Sequence, residues 1–428
     1  VRYVSTRRRA EPSSFSAAIL AGLAPDGGLF VPDRFPAFDA APLTSVEGFA
    51  SFASHVLRPF LEGDALGPEL DGMCMRAFDF PVPLVELRRD TAVLELFHGP
   101  TAAFKDFGAR FLAECLEHTG EAGSGRGRPL TILVATSGDT GGAVAAAFHR
   151  RPGIRVAILY PRGGVSSRQE QQLTCWGENV TSFSVAGNFD DCQRLVKAAF
   201  RDERMNAAHR LTSANSINIG RLLPQAAYYA AASVWYRERT GSDAGFIVPA
   251  GNVGNAVGAF WARKMGFPIR EIALATNANR VIPDWFVSVQ WKPRPSVATL
   301  ANAMDVGDPS NMERLFDLFP RREDLLRVAQ ASSVGDRTIR EVIAAGPDAW
   351  GRVWCPHTAT AVHLREQLDS PHWVVVATAH PAKFETIVEP LVGHSVEPPQ
   401  PLADLLDRPR HVLEIDADLE ALRQGLDA

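Results

Sequence analysis

The stretch GFIVPAGNVGNAVGAFWARKMG, residues 245–266, starts with a short apolar, β-branched run, breaks at a loop of small residues, GNVGN (251–255), and continues with apolar residues at helical spacing. A strand, a tight glycine turn and a helix in that order make one half of a βαβ unit. The same writing recurs on either side of it. LTILVAT (130–136), IRVAILY (154–160), NVTSFSV (179–185), IREIALA (269–275) and HWVVVAT (372–378) are further strand candidates, separated by segments of helical period. An α/β protein is expected, with open, mostly parallel sheets covered by helices on both faces.

The first 90 residues read differently. GLAPDGGLFVP (22–32) is turn chemistry around glycines, and the segment to Gly72 is mixed and helical, so a separate α+β unit is expected over 1–90 and the main region over 91–428. Residues 280–350, rich in Pro, Trp and Asp, interrupt the βα rhythm and read as an accessory insertion. With 46% hydrophobic and 22% charged residues and no long apolar run, no membrane span is expected. A net charge of −5 gives no general attraction to nucleic acid, which points to a small-molecule partner. The five cysteines are scattered with no CxxC pair, so neither a disulfide framework nor a zinc site is suggested and a cytoplasmic setting is expected. The arginine run at 7–9 is not followed by an uninterrupted apolar segment and reads as solvated surface.

In open α/β sheets ligands bind beyond the carboxyl ends of strands. Three loops there stand out: SGDTGGAV (137–144), GNVGNAV (251–257) and AHPAKF (379–384). GNVGN suits either an anion cradle on the first N–H groups of a helix or a tight turn that needs glycine only for its dihedrals. SGDTGG suits a second such cradle or a plain helix cap. SANSINIGR (213–221) adds Asn215, Ser216 and Arg221, which could hold a further phosphate, although an arginine opening a helix also suits the surface. GxxxxGK[ST] is absent, against a nucleoside triphosphatase. His98, in a Gly-Pro turn, suits a structural hydrogen bond more than a general base; His357 and His380 have the same status, and none forms an HExxH, so a metal is not expected.

Lysine is rare. Only five of 44 basic residues are lysine, and one, Lys105, stands in FHGPTAAFKDFGARF (97–111). An amine can lose its proton when desolvated and form a Schiff base with a carbonyl, which a guanidinium cannot do. Lys383, in AHPAKF, competes for that role.

In order along the chain, YVSTR, GLAPDGGLFVP, FHGPTAAFKDF, ATSGDTGGA, GNFDDCQ, SANSINIGRLLPQ, PAGNVGNAVGAFWARKMG, AMDVGDPSNMERL, CPHTATAV and TAHPAKF make the sequence resemble the threonine synthases. These are pyridoxal-phosphate enzymes of fold type II, and the similarity is to the longer class with an extended N-terminal domain. The resemblance implies pyridoxal 5'-phosphate as cofactor and O-phospho-L-homoserine as substrate, converted with water to L-threonine and phosphate. It implies that Lys105 forms the Schiff base and shuttles the Cα proton, that Gly251, Asn252, Val253, Gly254 and Asn255 hold the cofactor phosphate, and that Thr378 faces the pyridine nitrogen. Asp139 stands where shorter relatives carry an Asn that bonds the cofactor's ring oxygen. Thr136, Ser137 and Thr140 would hold the substrate carboxylate; Asn215, Ser216 and Arg221, with Asn252, its phosphate. A smaller mobile lobe at about 108–220 would close over the site, and a monomer or homodimer is expected. The runner-up is a related dehydratase or phospho-lyase that stops at an oxoacid. A non-catalytic homologue is the reading from another class, and retention of Lys105 argues against it. Gly187, Asn188, Phe189, Ala301, Asn302 and Ala303 depart from the family blocks, and no motif is legible beyond about residue 385.

Overall fold

The computed structural model describes residues 1–39, 43, 46–88, 90–120 and 128–427. Among these, the strands in chain order are β1 (Tyr3–Ser5), β2 (Phe30–Pro32), β3 (Leu84–Arg88), β4 (Thr91–Glu95), β5 (Leu130–Ala135), β6 (Ile154–Pro161), β7 (Val180–Ala186), β8 (Leu211–Thr212), β9 (Ala244–Pro249), β10 (Ile269–Thr276), β11 (Ala329–Ser333), β12 (Trp373–Ala377) and β13 (Val412–Asp416). All six strand candidates are present, each within a residue or two of its expected ends. They are divided between two sheets. One has the order β11-β10-β9-β12-β4-β3 and is parallel except for the β3–β4 hairpin; the other, β13-β7-β6-β5-β8, is parallel throughout. Every residue of β5 and β9 is buried, the consequence of helices on both faces and the reason these strands read as unbroken apolar runs.

Among the strands outside those six candidates, β11, β13 and β4 matter most for the sheets. β11 comes from the segment at 280–350 and extends the larger sheet beside β10, so that segment does not wholly interrupt the rhythm. β13 comes from the tail and pairs with β7, Val412 opposite Ser182. The tail's last helix, Leu419–Asp427, then places Leu422 and Leu426 in the core of the smaller sheet. β4, fully buried, is the second strand of the hairpin with β3.

Strand order places the site. β10 and β11 follow β9 on one side, whereas β12 and β4 lie on its other side, so the order reverses between β9 and β12. The loops leaving β4, β9 and β12 therefore emerge together, at the kind of crevice where such sheets bind ligands. The N-terminal residues pack on the helix Lys105–His118, with Phe15 against Phe111 and Phe49 edge-on to Phe107. Arg7 and Arg8, expected to be simply solvated, reach Glu313 and Asp317, although half of each side chain stays exposed.

Candidate active site

Lys105 is the first residue of its helix, and the loop that delivers it is sewn to the loop after β12. The Leu96 N–H donates to the Ala377 carbonyl (3.0 Å), Phe104 N–H to Thr378 (2.9 Å) and His380 N–H to Ala102 (3.0 Å). Gly99 is required there, because a Cβ would lie 2.5 Å from the Asp106 carboxylate. That buried carboxylate accepts from the Thr101 N–H (2.9 Å) and hydroxyl (2.6 Å), closing the turn before the helix. Lys105 keeps a partly accessible face. Removal from water lowers its amine to about 8; Asp139 opposes that shift, and Lys383 and Arg221 add to it.

After β9, Val253 takes a left-handed φ of 64° and the helix Gly254–Lys264 begins, presenting unpaired first N–H groups. A Cβ on Gly251 would lie 2.6 Å from the Met304 backbone, and one on Gly254 3.2 Å from the Ser216 Cβ. The two polar loops therefore touch. The Ser216 hydroxyl accepts from Asn252 Nδ2 (3.0 Å) and Asn311 Nδ2 (2.9 Å). With both lone pairs used, its own hydrogen is left to donate. Thr136 has the same arrangement, its Oγ1 accepting from the Gly138 and Gly141 N–H groups at 3.0 and 2.9 Å. Ser137 and Thr140, half-buried, flank Asp139. Asn215 Nδ2 donates to the Ala135 carbonyl (3.1 Å), tying the loop after β8 to the end of β5. Asn255 Oδ1 accepts from the Tyr228 and Tyr229 hydroxyls at 2.5 and 2.9 Å.

Arg221 is buried, and one of its terminal nitrogens donates to the Ala214 carbonyl. Burial lowers its guanidinium to about 10, with Asp106 opposing, so it stays charged. Asp139 is buried beside Lys383, Nζ to Oδ1 2.9 Å, and accepts from Gln169 Nε2 at 3.1 Å. Burial alone would raise its carboxyl; Lys383, Lys105 and His357 outweigh that and hold it well below the usual range. Burial pushes the His357 imidazole down to about 4, and its Nε2 accepts from the Ala303 N–H (3.1 Å), so the neutral ring carries its proton on Nδ1. His98 pairs with Glu95 (2.7 Å), and His380 Nδ1 accepts from the Ala382 N–H (3.2 Å).

Residues 77–379 match the family of pyridoxal-phosphate dependent enzymes, residues 2–78 the threonine synthase N terminus and residues 358–425 the threonine synthase C-terminal family. Threonine synthase of Escherichia coli strain K12 is 40% identical over 419 residues, covering 97% of this chain and 96% of that protein. The chain belongs to the threonine synthase family. Among solved threonine synthases, the Escherichia coli crystal structure matches with a TM-score of 0.93 at 38% identity, covering 100% of this chain and 99% of that one. A PLP-bound threonine synthase from Brucella melitensis matches with a TM-score of 0.91 at 34% identity, covering 99% and 98%. The fold is accordingly that of the type II pyridoxal-phosphate enzymes, and the family's cofactor is pyridoxal phosphate.

The residues of this threonine synthase family member fit that cofactor. Arg221 Nε, Asn255 Nδ2, Asn302 Oδ1 and His357 Nδ1 are buried without a protein partner, and all four belong to segments at this crevice. Three donors and one acceptor left over, on segments that join the one bearing the Lys105 amine and the glycine-lined helix start, suit a phosphorylated aldehyde and an anionic substrate. Asn302, Asn311 and Arg314 had no role legible in the sequence. AMDVGDPSNMERL and CPHTATAV signalled the family and not the function of any one side chain.

Proposed function

We propose that the protein converts O-phospho-L-homoserine and water to L-threonine and phosphate. The observation that carries the substrate is Arg221, a buried guanidinium with an unpartnered Nε and no carboxylate in ion-pair contact among the described residues, beside a loop distinct from the glycine loop. A dehydratase acting on a free hydroxyl has no need of it.

The residues at 251–255 would hold the cofactor phosphate on helix N–H groups, Lys105 would bind its aldehyde carbon, and Thr378 would face its ring nitrogen, with Asp139 near the ring oxygen. When bound, the cofactor supplies an electron sink for negative charge developing beside the substrate's amino group. Thr136, Ser137 and Thr140 orient the substrate carboxylate with hydroxyl donors. Lys105 would take the Cα proton of the bound substrate. With an amine near 8, about one-tenth is neutral at pH 7, against roughly one part in three thousand for an ordinary lysine. Loss of a Cβ proton releases the γ-phosphate, which Arg221, Asn215, Ser216 and Asn252 steady with charge-assisted bonds. Cγ takes up a proton and becomes the methyl group, water adds at Cβ, and Lys105 returns a proton to Cα to complete L-threonine. Closure of the lobe at about 108–220 against the larger lobe would keep stray water out before that step. The division into 1–90 and 91–428, the accessory insertion at about 280–350, a monomeric or homodimeric state and a cytoplasmic location belong to the same reading. Among the described residues no helix is long and apolar enough to cross a membrane.

Incubation with O-phospho-L-homoserine tests it. Threonine plus phosphate is expected; oxobutyrate plus phosphate would make the protein a phospho-lyase, and no turnover by a colourless protein would make it a non-catalytic homologue. Lys105→Ala is expected to abolish both turnover and the adduct trapped by borohydride, and a label on Lys383 in the wild type would overturn the Lys105 assignment.

A further inference from the structure

Lys383 is completely buried, which is rare for an ammonium and expensive unless it is paired. Its Nζ lies 2.9 Å from Asp139 Oδ1 and donates to the Thr101 carbonyl at 2.7 Å. Both ends of this bridge are held. The Lys383 carbonyl accepts from Ser166 Oγ (2.8 Å), and the Thr101 carbonyl also accepts from Gln172 Nε2 (3.1 Å). Thr101 lies four residues before Lys105, and Asp139 is the carboxylate whose charge favours a proton on the Lys105 amine. Without compensation that carboxylate would hold a proton on Lys105, the opposite of what a nucleophile and base requires.

We propose that Lys383 is a positioning residue for Lys105, its locked ammonium cancelling the Asp139 carboxylate so that Asp139 does not hold a proton on the Lys105 nitrogen. This rests on Lys105 being the Schiff-base lysine. The other charges around Lys105 are Arg221 from the helix that follows the SANSIN loop and His357, which is neutral; Asp106, on Lys105's own helix, faces Lys383 and Arg221. A purely structural alternative exists, because the same bridge joins the segment after β12 to the helix Asp139–Phe148 of the smaller sheet. A structural pin would alter stability and leave the proton on Lys105 where it was.

The experiment uses the holoenzyme and follows the visible band of the bound cofactor from pH 5 to 10. Borohydride reduction and peptide mapping of the wild type come first; a label anywhere but Lys105 defeats the underlying reading, not this inference alone. With Lys105 labelled, Lys383→Met is expected to raise the midpoint of the titration by about one pH unit or more, since it leaves an uncompensated carboxylate. Asp139→Asn is expected to lower it, since it leaves an uncompensated ammonium, and this variant keeps the test alive if Lys383→Met does not fold. The double variant is expected to return close to the wild-type midpoint. Unmoved midpoints in both single variants, or shifts of the same sign, overturn the proposal.

Discussion

Two buried guanidiniums bond carbonyls of the loop at 213–218, and their surroundings differ in kind. Arg314 is fully buried and spends its donors on the protein. Nε bonds the Phe30 carbonyl (3.1 Å), Nη1 the Ser216 carbonyl (2.9 Å) and the Asn311 side chain, and Nη2 the Ile217 carbonyl (2.6 Å). Arg221 bonds one carbonyl and leaves Nε unpartnered. Burial depresses both, Arg314 to about 9 and Arg221 to about 10, so neither is there for want of a desolvation cost. The lesson is that burial marks an important arginine and the donor ledger says what it is for. A filled ledger ties the N-terminal strand β2 to the polar loop; an open one is what the proposed anion ligand requires.

The comparison breaks most visibly at Arg314. Arg314→Met keeps the apolar stem and deprives the buried Phe30 carbonyl, the half-buried Ser216 and Ile217 carbonyls and the Asn311 amide oxygen of their donor, which is expected to cost about 3–5 kcal/mol of stability, less than additive because the loop relaxes. Urea unfolding checks it. A variant as stable as wild type but weak for phosphate would mean that Arg314, not Arg221, is the anion ligand.

Arg221→Ala should behave the other way. Each charge-assisted bond lost to the substrate phosphate is worth about 1.5–3 kcal/mol, roughly ten- to a hundredfold in kcat/KM, while the urea midpoint should hold or rise because an unpaired buried cation is gone. Arg221→Lys should recover only part, keeping the charge without the planar fork. Cofactor affinity should barely change in either. Weakened pyridoxal-phosphate binding with unchanged kcat/KM at saturating cofactor would remove the substrate-phosphate role.

The contrast between the two arginines also marks what the sequence could express. Arg221 was legible because it stands six residues after Asn215 in a polar loop at a strand end, a spacing local enough to read. Arg314 was not, because its partners Phe30, Ser216 and Ile217 are distant in the chain and all but one of its bonds go to backbone carbonyls, which leave no trace in side-chain identity. The same reason divides the fold. β5, β6, β9, β10 and β12 announce themselves as buried β-branched runs followed by helices. β11 (AQASS) has small polar residues at a sheet edge, and the outer strand β13 leaves Val412 and Leu413 partly exposed, so neither carries a periodic signal. Lys383 was noticed as a rare amine, but its compensation of Asp139 spans 244 residues of sequence and could only be seen folded.

The smallest expected effect sharpens the comparison from the next residue. Glu313 precedes Arg314 on the same short helix, accepting from the Thr6 hydroxyl (2.7 Å) and Arg7 Nε (3.2 Å), and it too connects the N-terminal unit to the catalytic region. Its pair differs in exposure: the Arg7 side chain is 50% exposed and that of Glu313 33%, where water and salt screen the attraction. Glu313→Gln retains an oxygen for Thr6 and removes only the charge, so a loss of about 0.2–1 kcal/mol is expected, shrinking further at high salt. Urea unfolding of the variant at low and high ionic strength measures it. Should Glu313→Gln cost as much as Arg314→Met at both, the helix Met312–Leu318 would be anchored as a whole by its contacts with the N-terminal unit, and the buried guanidinium would lose its separate standing as the clamp beneath the polar loop.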